Sequence, residues 1–209
     1  MCIICVSPKG VPQPSTYAIR TMFKNNPHGA GYMVARNGKV FIHKGFMTID
    51  DLLDQLAYER FTADDAVVYH FRISTQAGVN PQMTHPFPLS SRLENMTALD
   101  LSCSVGITHN GVIKLTSTGD KKYSDTALFV AKYMPYIIER PEDLHDDAKI
   151  DAIAELIGSK MAILDKTGFI RTIGEFTNEN GILYSNHTYK PAVYKPVLQS
   201  WELPWYNYA

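Results

Sequence analysis

The chain has 209 residues, of which 45% are hydrophobic and 20% are charged; this composition excludes a disordered polypeptide and a small scaffold held together by disulfides. The 20 lysine and arginine residues are balanced by 21 acidic residues, so the net charge is -1. Such a balance provides no cationic field for a phosphate backbone. We therefore expect one large folded domain that does not bind nucleic acid.

The sequence predicts neither a membrane span nor an export signal. The longest stretch without a charged residue, residues 73–91, contains three prolines and many polar side chains, and so cannot cross a bilayer. The first residues lack the basic segment and apolar stretch of a secretory signal. Three cysteines, an odd number, do not form a disulfide framework. We expect a cytoplasmic protein that does not bind membranes.

The first part of the chain alternates between short strands and capped helices. An apolar run that ends at a proline predicts a buried first strand, and the dipeptide Asn37-Gly38 is typical of a type I′ hairpin turn. Ser15 and Thr48 are each placed to cap a helix by accepting a hydrogen bond from its first turn. The predicted elements are a strand at 2–7, a helix that residues 25–27 end, a hairpin of 32–35 with 39–43, a helix through Leu52 and Leu56, and a central strand at 66–71.

The second part begins with a long polar loop. Residues 72–91 are rich in Pro, Gly, Asn, His and Thr, which makes them a candidate binding segment. Ser124 is placed to cap a helix that carries Asp125 in its first turn, and Pro135 ends or kinks that helix. The other predicted elements are a second hairpin of 103–108 with 112–115 around the turn His109-Asn110-Gly111, a helix at 146–157, and strands at 161–164, 169–173 and 182–184.

These elements favour the α+β class. Strands that pair mainly as hairpins, with helices grouped between them, predict antiparallel sheets covered by helices rather than a doubly wound parallel sheet. No phosphate-binding loop or dinucleotide fingerprint is present, so we expect no cofactor. Residues 1–190 are predicted to form the domain, and residues 191–209, which include both tryptophans, to form an aromatic tail that packs on it.

Cys2 has the most distinctive chemistry in the chain, because removal of Met1 would give it a free α-amine beside its thiol. The reference pKa of such an amine is about 7.7–8.0 and that of a thiol about 8.5, so the amine can take and return the thiol proton near neutral pH. One residue would then be both nucleophile and base. The alternative is a small hydrophobic residue at the start of a strand.

Cys2 and Cys5 also form a C-x-x-C pair, a pattern found in zinc sites and redox dithiols. A zinc site would need two more ligands at suitable spacing, whereas Cys103 stands alone in the sequence. Alternate residues of a strand also face opposite sides, which would turn Cys5 away from Cys2. The sequence therefore predicts no metal site.

Four motifs follow Cys2 in an order that is more specific than any one of them. They are His70-Phe71-Arg72-Ile73-Ser74-Thr75, Gly78 with His85-Pro86, His109-Asn110-Gly111, and Ser124-Asp125-Thr126. Together with Cys2 they resemble the glutaminase domain of class II glutamine amidotransferases, which are N-terminal nucleophile hydrolases. The resemblance extends from Cys2 to about Tyr189. It implies a four-layer αββα sandwich of two antiparallel sheets, with the nucleophile at the start of a central strand.

The resemblance also implies a role for each matching residue. Cys2 would attack the side-chain amide of L-glutamine, giving a γ-glutamyl thioester and ammonia. The side-chain amide of Asn110 and the backbone N–H of Gly111 would hold the oxyanion. Arg72 would bind the substrate α-carboxylate with its planar fork, and Asp125 would bind the α-ammonium. Thr75, Gly78 and His85 would surround the substrate, and His109 would be a structural neighbour of the oxyanion hole.

Each of these residues alone also fits an ordinary structural role. Arg72 could be a surface charge at a strand end, Asn110-Gly111 a hairpin turn, Asp125 an acid at a helix N-terminus, and His85 a loop-packing residue. The interpretation as a catalytic site depends on their joint occurrence in family order after Cys2.

Three positions depart from the family's usual pattern and leave the substrate fit open. Ile3 stands where glycine is usual, Ile73 where an aromatic residue is frequent, and Gln76 where a histidine often follows the threonine. Residues 26–32 are similar to the corresponding segment of short, stand-alone members of this family, which also occur in bacteriophage genomes.

A chain of 209 residues has no room for the synthase domain that most relatives carry. The resemblance therefore implies a separate ammonia-accepting synthetase as the partner. Two alternatives are a hydrolase of another γ-glutamyl compound and a catalytically silent binding subunit, which retention of Met1 would favour.

Overall fold

The computed structural model describes residues 2–74, 78–117 and 122–191. These residues form a mixed α+β fold with two antiparallel sheets, which confirms the predicted class. The strands are β1 (Ile3–Ser7), β2 (Ala30–Arg36), β3 (Lys39–Phe46), β4 (Ala66–Phe71), β5 (Phe87–Pro88), β6 (Asp100–Cys103), β7 (Val105–Asn110), β8 (Lys160–Asp165), β9 (Ile170–Ile173), β10 (Thr177–Glu179) and β11 (Ile182–Tyr184). The α-helices are α1 (Thr16–Asn25), α2 (Ile49–Glu59), α3 (Asp125–Lys132), the single turn α4 (Met134–Ile137) and α5 (Asp147–Ile157).

The helices begin where the capping side chains predict. Ser15, Thr48 and Ser124 each accept a hydrogen bond from the backbone N–H three residues further on. Such a cap typically contributes about 1 kcal/mol, because it satisfies an N–H group that has no partner within the helix. The cap at Ser124 matters most for the site, since it fixes where Asp125 enters α3.

The larger sheet has the strand order β10-β11-β1-β4-β2-β3-β6. The predicted hairpin of β2 and β3 is present, and Asn37 and Gly38 in its turn both have positive φ angles, of 52° and 69°. In the pairing of β1 with β4, Ile3 lies opposite Phe71. The residue before β1 is therefore a neighbour of the residue after β4, which places Cys2 beside Arg72.

The apolar side chains of the described residues form three clusters. One lies between the two sheets, and the other two lie between a sheet and the helices that cover its outer face. Ile4 and Val6 of β1 join a cluster between the two sheets, which also contains Leu164 of β8. Ile3 and Cys5 face the other way, into a cluster with α1 and α2. The four-stranded sheet, ordered β5-β7-β8-β9, packs its other face against α3 and α5. The period of two along β1 thus separates the side chains that face the second sheet from those that face the helices.

The predicted second hairpin is wrong. Residues 112–115 form no strand, and β7 pairs instead with β5 and β8. The N–H of Ile113, which a strand partner would need, donates to Oδ2 of Asp125 at 2.7 Å. Cys103 belongs to β6, which pairs with β3 in the other sheet. A carboxylate at the start of α3 therefore directs the chain away from β7.

Three short strands, β5, β6 and β10, have no clear signal in the sequence, because two to four residues are too few to establish a period. β5 lies inside the predicted loop of 72–91 and ties that loop to β7. The predicted packing of residues 191–209 concerns positions that, apart from Pro191, lie outside the described residues. No helix among the described residues is long and apolar enough to cross a membrane.

Gly31 marks a close approach between β2 and the loop after β4. A Cβ at this position would clash with the carbonyl oxygen of His85 and would lie 2.6 Å from Cβ of Lys44. Because a carbonyl oxygen belongs to the backbone and cannot rotate away, we expect Gly31→Ala to lower the free energy of unfolding by about 2–3 kcal/mol in urea titrations.

Gly38→Ala is the control for this substitution. Gly38 has a positive φ angle of 69° but nothing within 4 Å of its Cβ position, so its replacement should cost about 1 kcal/mol through backbone strain alone. A loss at Gly31 no larger than the loss at Gly38 would show that the loop does not press on β2.

Candidate active site around Cys2

Cys2 lies immediately before β1, where β1 and β4 come to their ends side by side. Its Sγ accepts a hydrogen bond from the N–H of Ile73 at 3.3 Å and lies 3.4 Å from the carbonyl oxygen of the same residue. By the alternation along β1, Cys2 shares the face of Ile4 and Val6, which lies between the two sheets. The thiol is therefore held at the edge of the space between the sheets.

A small cavity beside the thiol brings together five of the predicted site residues. Its volume of about 20 Å³ is of the order that one water molecule needs. Parts of the chain that are far apart in sequence contribute to its wall, since the first strand, the segment after β4 and the N-terminus of α3 meet here. The predicted site residues that line it are Cys2, Arg72, His85, Gly111 and Asp125.

Arg72 is buried and oriented by its surroundings. Its backbone N–H donates to the carbonyl of Gly29 at 2.8 Å, and its Nη1 donates to the carbonyl of Gly78 at 2.9 Å. Burial lowers the pKa of Arg72, whereas the neighbouring Cys2 and Asp125 raise it. The predicted residue Gly78 thus contacts the guanidinium through its carbonyl and does not itself line the cavity.

The environment of Cys2 keeps its thiol protonated. Burial raises the pKa of the Cys2 thiol, and the N–H of Ile73 and the charge of Arg72 oppose this effect without cancelling it. A protonated thiol is a poor nucleophile, so attack from this position needs a base.

The other two cysteines are also protonated, and burial raises the pKa of Cys103 to about 12. Cys5 is fully buried on the helix side of β1, as the alternation predicts. Among the described residues, no three His, Cys, Asp or Glu side chains are arranged so that they could hold a metal ion.

Asn110 ends β7 next to β1. Its Nδ2 donates to Oγ of Ser185 at 2.9 Å, and this hydroxyl oxygen also accepts the N–H of Ile4. Its Oδ1 is buried and has no partner among the described residues. The Asn110 side chain is not part of the cavity wall, whereas Gly111 is. A Cβ at Gly111 would lie 2.5 Å from Cβ of Ser159, so only glycine fits against that serine.

The carboxylate of Asp125 has a fixed orientation. Oδ2 accepts the N–H of Ile113 at 2.7 Å, and Oδ1 accepts the N–H of Thr126 at 2.8 Å. Its backbone carbonyl accepts the hydroxyl of Thr116 at 2.7 Å. Each carboxylate oxygen can accept a second hydrogen bond, so these contacts leave acceptor capacity for a donor in the cavity.

Three buried histidines lie next to the cavity and join the two sheets. The rings of His70 and His85 stack with centroids 4.1 Å apart. Nε2 of His70 lies 3.1 Å from the carbonyl of His109, and Nδ1 of His85 lies 3.2 Å from the N–H of His109. Because a carbonyl only accepts and an N–H only donates, His70 carries its proton on Nε2 and His85 carries none on Nδ1.

The side chain of His109 is held by two hydroxyls. Nε2 lies 2.7 Å from Oγ of Ser159, and Nδ1 lies 2.9 Å from Oγ1 of Thr126. The hydroxyl of Ser159 donates to the carbonyl of Ile157, so it accepts from Nε2–H of His109. The proton of Ser159 therefore points away from the imidazole, and the pair does not have the polarity of a serine nucleophile with its base. The contacts fit the structural role predicted for His109.

Sequence reasoning misses one residue that touches Cys2. Nδ2 of Asn186 donates to the carbonyl of Cys2 at 2.6 Å, across a separation of 184 residues. No local motif indicates this contact, because it depends on where β11 leaves the sheet. Of the predicted residues, Thr75 lies outside the described part of the chain.

No model of a known protein family matches this chain, and a search of curated proteins finds none with significant similarity.

The buried histidines predict a stability that falls in acid. Burial lowers the pKa of His70 to about 3 and that of His109 to about 4, and it holds the pKa of His85 well below its usual range. Below about pH 6.5 these histidines bind protons in the unfolded chain but stay neutral in the folded chain. The free energy of unfolding therefore rises with pH between about 4 and 6.5. Each histidine contributes a slope of up to about 1.4 kcal/mol per pH unit.

We expect His109→Gln to remove one such contribution. In urea titrations between pH 4.5 and 6, the slope of the unfolding free energy against pH should be lower than in the wild type by about 1 kcal/mol per pH unit. Above about pH 7.5 the two slopes should coincide, because imidazoles are then neutral in both states. Equal slopes in acid would show that His109 is accessible to protons in the folded protein.

Proposed function

We propose that this chain is a glutaminase of the class II glutamine amidotransferase type, with the αββα fold of N-terminal nucleophile hydrolases. The observation that carries the proposal is the meeting of Cys2, Arg72, Gly111 and Asp125 around one cavity. These residues come from separate motifs, and their roles in the family require them to be adjacent. The packing of α1 and α2 on one sheet and of α3 and α5 on the other supports the layer order αββα.

The first step uses the amine that removal of Met1 would expose on Cys2. Since burial keeps the thiol protonated, the amine takes the thiol proton as Sγ attacks the side-chain amide carbon of glutamine. A C–S bond forms, and the carbonyl electron pair moves to the oxygen. The N–H of Gly111, which lines the cavity, holds this oxyanion. Asn110 lies outside the cavity wall, so its Nδ2, which has a second hydrogen besides the one that Ser185 accepts, becomes the second donor only after substrate binding has moved the lining side chains.

The second step releases ammonia and restores the enzyme. The ammonium of Cys2 returns its proton to the leaving nitrogen, the C–N bond breaks, and a γ-glutamyl thioester remains. Water then attacks the thioester carbon while the amine accepts its proton. The C–S bond breaks, glutamate leaves and the thiol is re-formed. The ammonia passes to a separate synthetase.

Two charged side chains would recognise the α-carboxylate and the α-ammonium of free glutamine. Arg72 provides a cationic fork for the α-carboxylate, and Asp125 provides acceptor capacity for the α-ammonium. A glutamine inside a peptide carries neither charge and would form neither of these two charge-assisted contacts. The cavity has room for about one water molecule, so glutamine must displace lining side chains when it binds.

The first test replaces the proposed nucleophile. Cys2→Ala should abolish ammonia release from L-glutamine, with kcat reduced at least about 10³-fold, because no other group forms the thioester. Cys103→Ala is the matched control, since Cys103 is also half-buried and protonated, and it should keep wild-type activity. Intact mass should show the loss of one methionine from active protein.

Other outcomes of this test identify the alternatives. Cys2-dependent hydrolysis of larger γ-glutamyl amides, but not of glutamine, would indicate a different γ-glutamyl substrate. Retained Met1 without turnover would indicate a silent binding subunit. Turnover of glutamine that survives Cys2→Ala would overturn the proposal.

The second test concerns the proposed carboxylate clamp. Arg72→Ala should raise KM for glutamine by roughly 10-fold or more while changing kcat less, because a charge-assisted hydrogen bond contributes about 1.5–3 kcal/mol. The wild type should strongly prefer glutamine over its α-methyl ester, and Arg72→Ala should lose this preference. Equal preference in both proteins would reject the role of Arg72. Urea titration of the variant checks that the fold is intact.

A further inference from the structure

The contact between Asn186 and Cys2 takes the place of a backbone hydrogen bond between β1 and β11, which end their pairing before Cys2. β11 pairs with β1 as far as Tyr184, and the N–H of Ser185 still donates to the carbonyl of Ile4 at 3.0 Å. Beyond this point, side chains instead of backbone groups form the hydrogen bonds to the backbone of Ile4 and Cys2. Oγ of Ser185 accepts the N–H of Ile4 at 2.9 Å, and Nδ2 of Asn186 donates to the carbonyl of Cys2 at 2.6 Å. The backbone groups of β1 that face β11 thus have partners as far as the carbonyl of Cys2, the residue before the strand.

Asn186 is itself held, which fixes the direction of its amide. Its Oδ1 accepts both the N–H of Thr188 at 3.0 Å and the hydroxyl of Thr188 at 2.8 Å. Oγ1 of Thr188 accepts in turn from Nδ2 of the buried Asn26 at 3.0 Å. Because Oδ1 faces two donors, Nδ2 is the atom that faces Cys2.

A residue at the end of a chain needs such a contact more than one inside a strand. An internal residue is held by peptide groups on both sides, whereas Cys2 after removal of Met1 has only one. Two torsions, about Cα–C and about Cα–Cβ, then decide where Sγ lies. The hydrogen bond of Asn186 fixes the peptide plane from which the first torsion is measured, and the N–H of Ile73 anchors Sγ at the other end of the residue. A displacement of about 1 Å at a reacting atom can cost 10²-fold in rate.

We infer that Asn186 is a positioning residue for Cys2, which holds the nucleophile in line with the oxyanion site through the Cys2 carbonyl. This inference rests on the proposed function for its catalytic consequence. The contact itself is a separate observation, so it can be tested whether or not glutamine is the substrate.

The test uses two substitutions with the same chemistry in the same neighbourhood. Asn186→Asp keeps the acceptor for Thr188 but replaces the donor that faces Cys2 with a carboxylate oxygen. Asn25→Asp is the control, because Nδ2 of Asn25 donates to the carbonyl of Thr188 at 2.8 Å and so holds the same segment without touching Cys2.

In the activity assay, Asn186→Asp should lower kcat for glutamine about 100-fold and leave KM within about 3-fold. Asn25→Asp should keep kcat within about 3-fold of the wild type. Wild-type kcat in Asn186→Asp, or equal losses in both variants, would overturn the inference.

A second measurement does not depend on turnover. In a Cys103→Ala background, Cys2 is alkylated with iodoacetamide over a range of pH and its modification is followed by mass spectrometry. A new carboxylate beside Cys2 disfavours the thiolate, so Asn186→Asp should raise the pH midpoint of alkylation and Asn25→Asp should not. An unshifted midpoint in Asn186→Asp would overturn the inference. A shifted midpoint in a protein whose wild type does not hydrolyse glutamine would reject the proposed function alone.

Discussion

The pairing of Ile3 with Phe71 is the contact on which the rest of the site depends. It places the residue before β1 next to the residues after β4, so the thiol of Cys2 meets the N–H of Ile73 and the charge of Arg72. A shift of one residue in this register would turn the thiol to the helix side of the sheet, because side chains alternate along a strand. Such a shift would also exchange the side chains that pack into the two different clusters on the faces of β1.

The second sheet is joined to this register by buried polar groups. His70 of β4 donates to the carbonyl of His109 in β7, and Asn110 reaches β1 through Ser185. Two atoms of this cluster, Nδ1 of His70 and Oδ1 of Asn110, have no partner among the described residues. A buried polar atom without a partner typically costs about 1–3 kcal/mol. The fold therefore concentrates unfavourable groups next to the candidate site and compensates for them with the apolar clusters on either side.

Local signals in the sequence predict much of this structure. Capping by Ser15, Thr48 and Ser124, the Asn37-Gly38 turn and the apolar β4 each depend on a few neighbouring residues, and all are confirmed. The second hairpin is wrong because a long-range contact, from Ile113 to Asp125, overrides the local turn signal at residues 109–111. The sequence motifs contain Cys2, Arg72, Gly111 and Asp125, which the fold brings to one cavity. The contact of Asn186 with Cys2, in contrast, has no local signal in the sequence.

The contacts that orient Cys2 join residues that are far apart in the sequence. Cys2 comes from the start of the chain, and the side chains that bind the N–H of Ile4 and the carbonyl of Cys2 come from Ser185 and Asn186. Contacts between residues so far apart carry a cost in loop-closure entropy, which the other contacts of the fold must offset. β1 can pair with β4 when about 70 residues are available, as the register of Ile3 with Phe71 requires. The carbonyl of Cys2, in contrast, acquires its partner only when the chain is folded as far as Asn186. The arrangement that orients the thiol is therefore complete only in the fully folded domain, which confines the chemistry proposed for Cys2 to the native state.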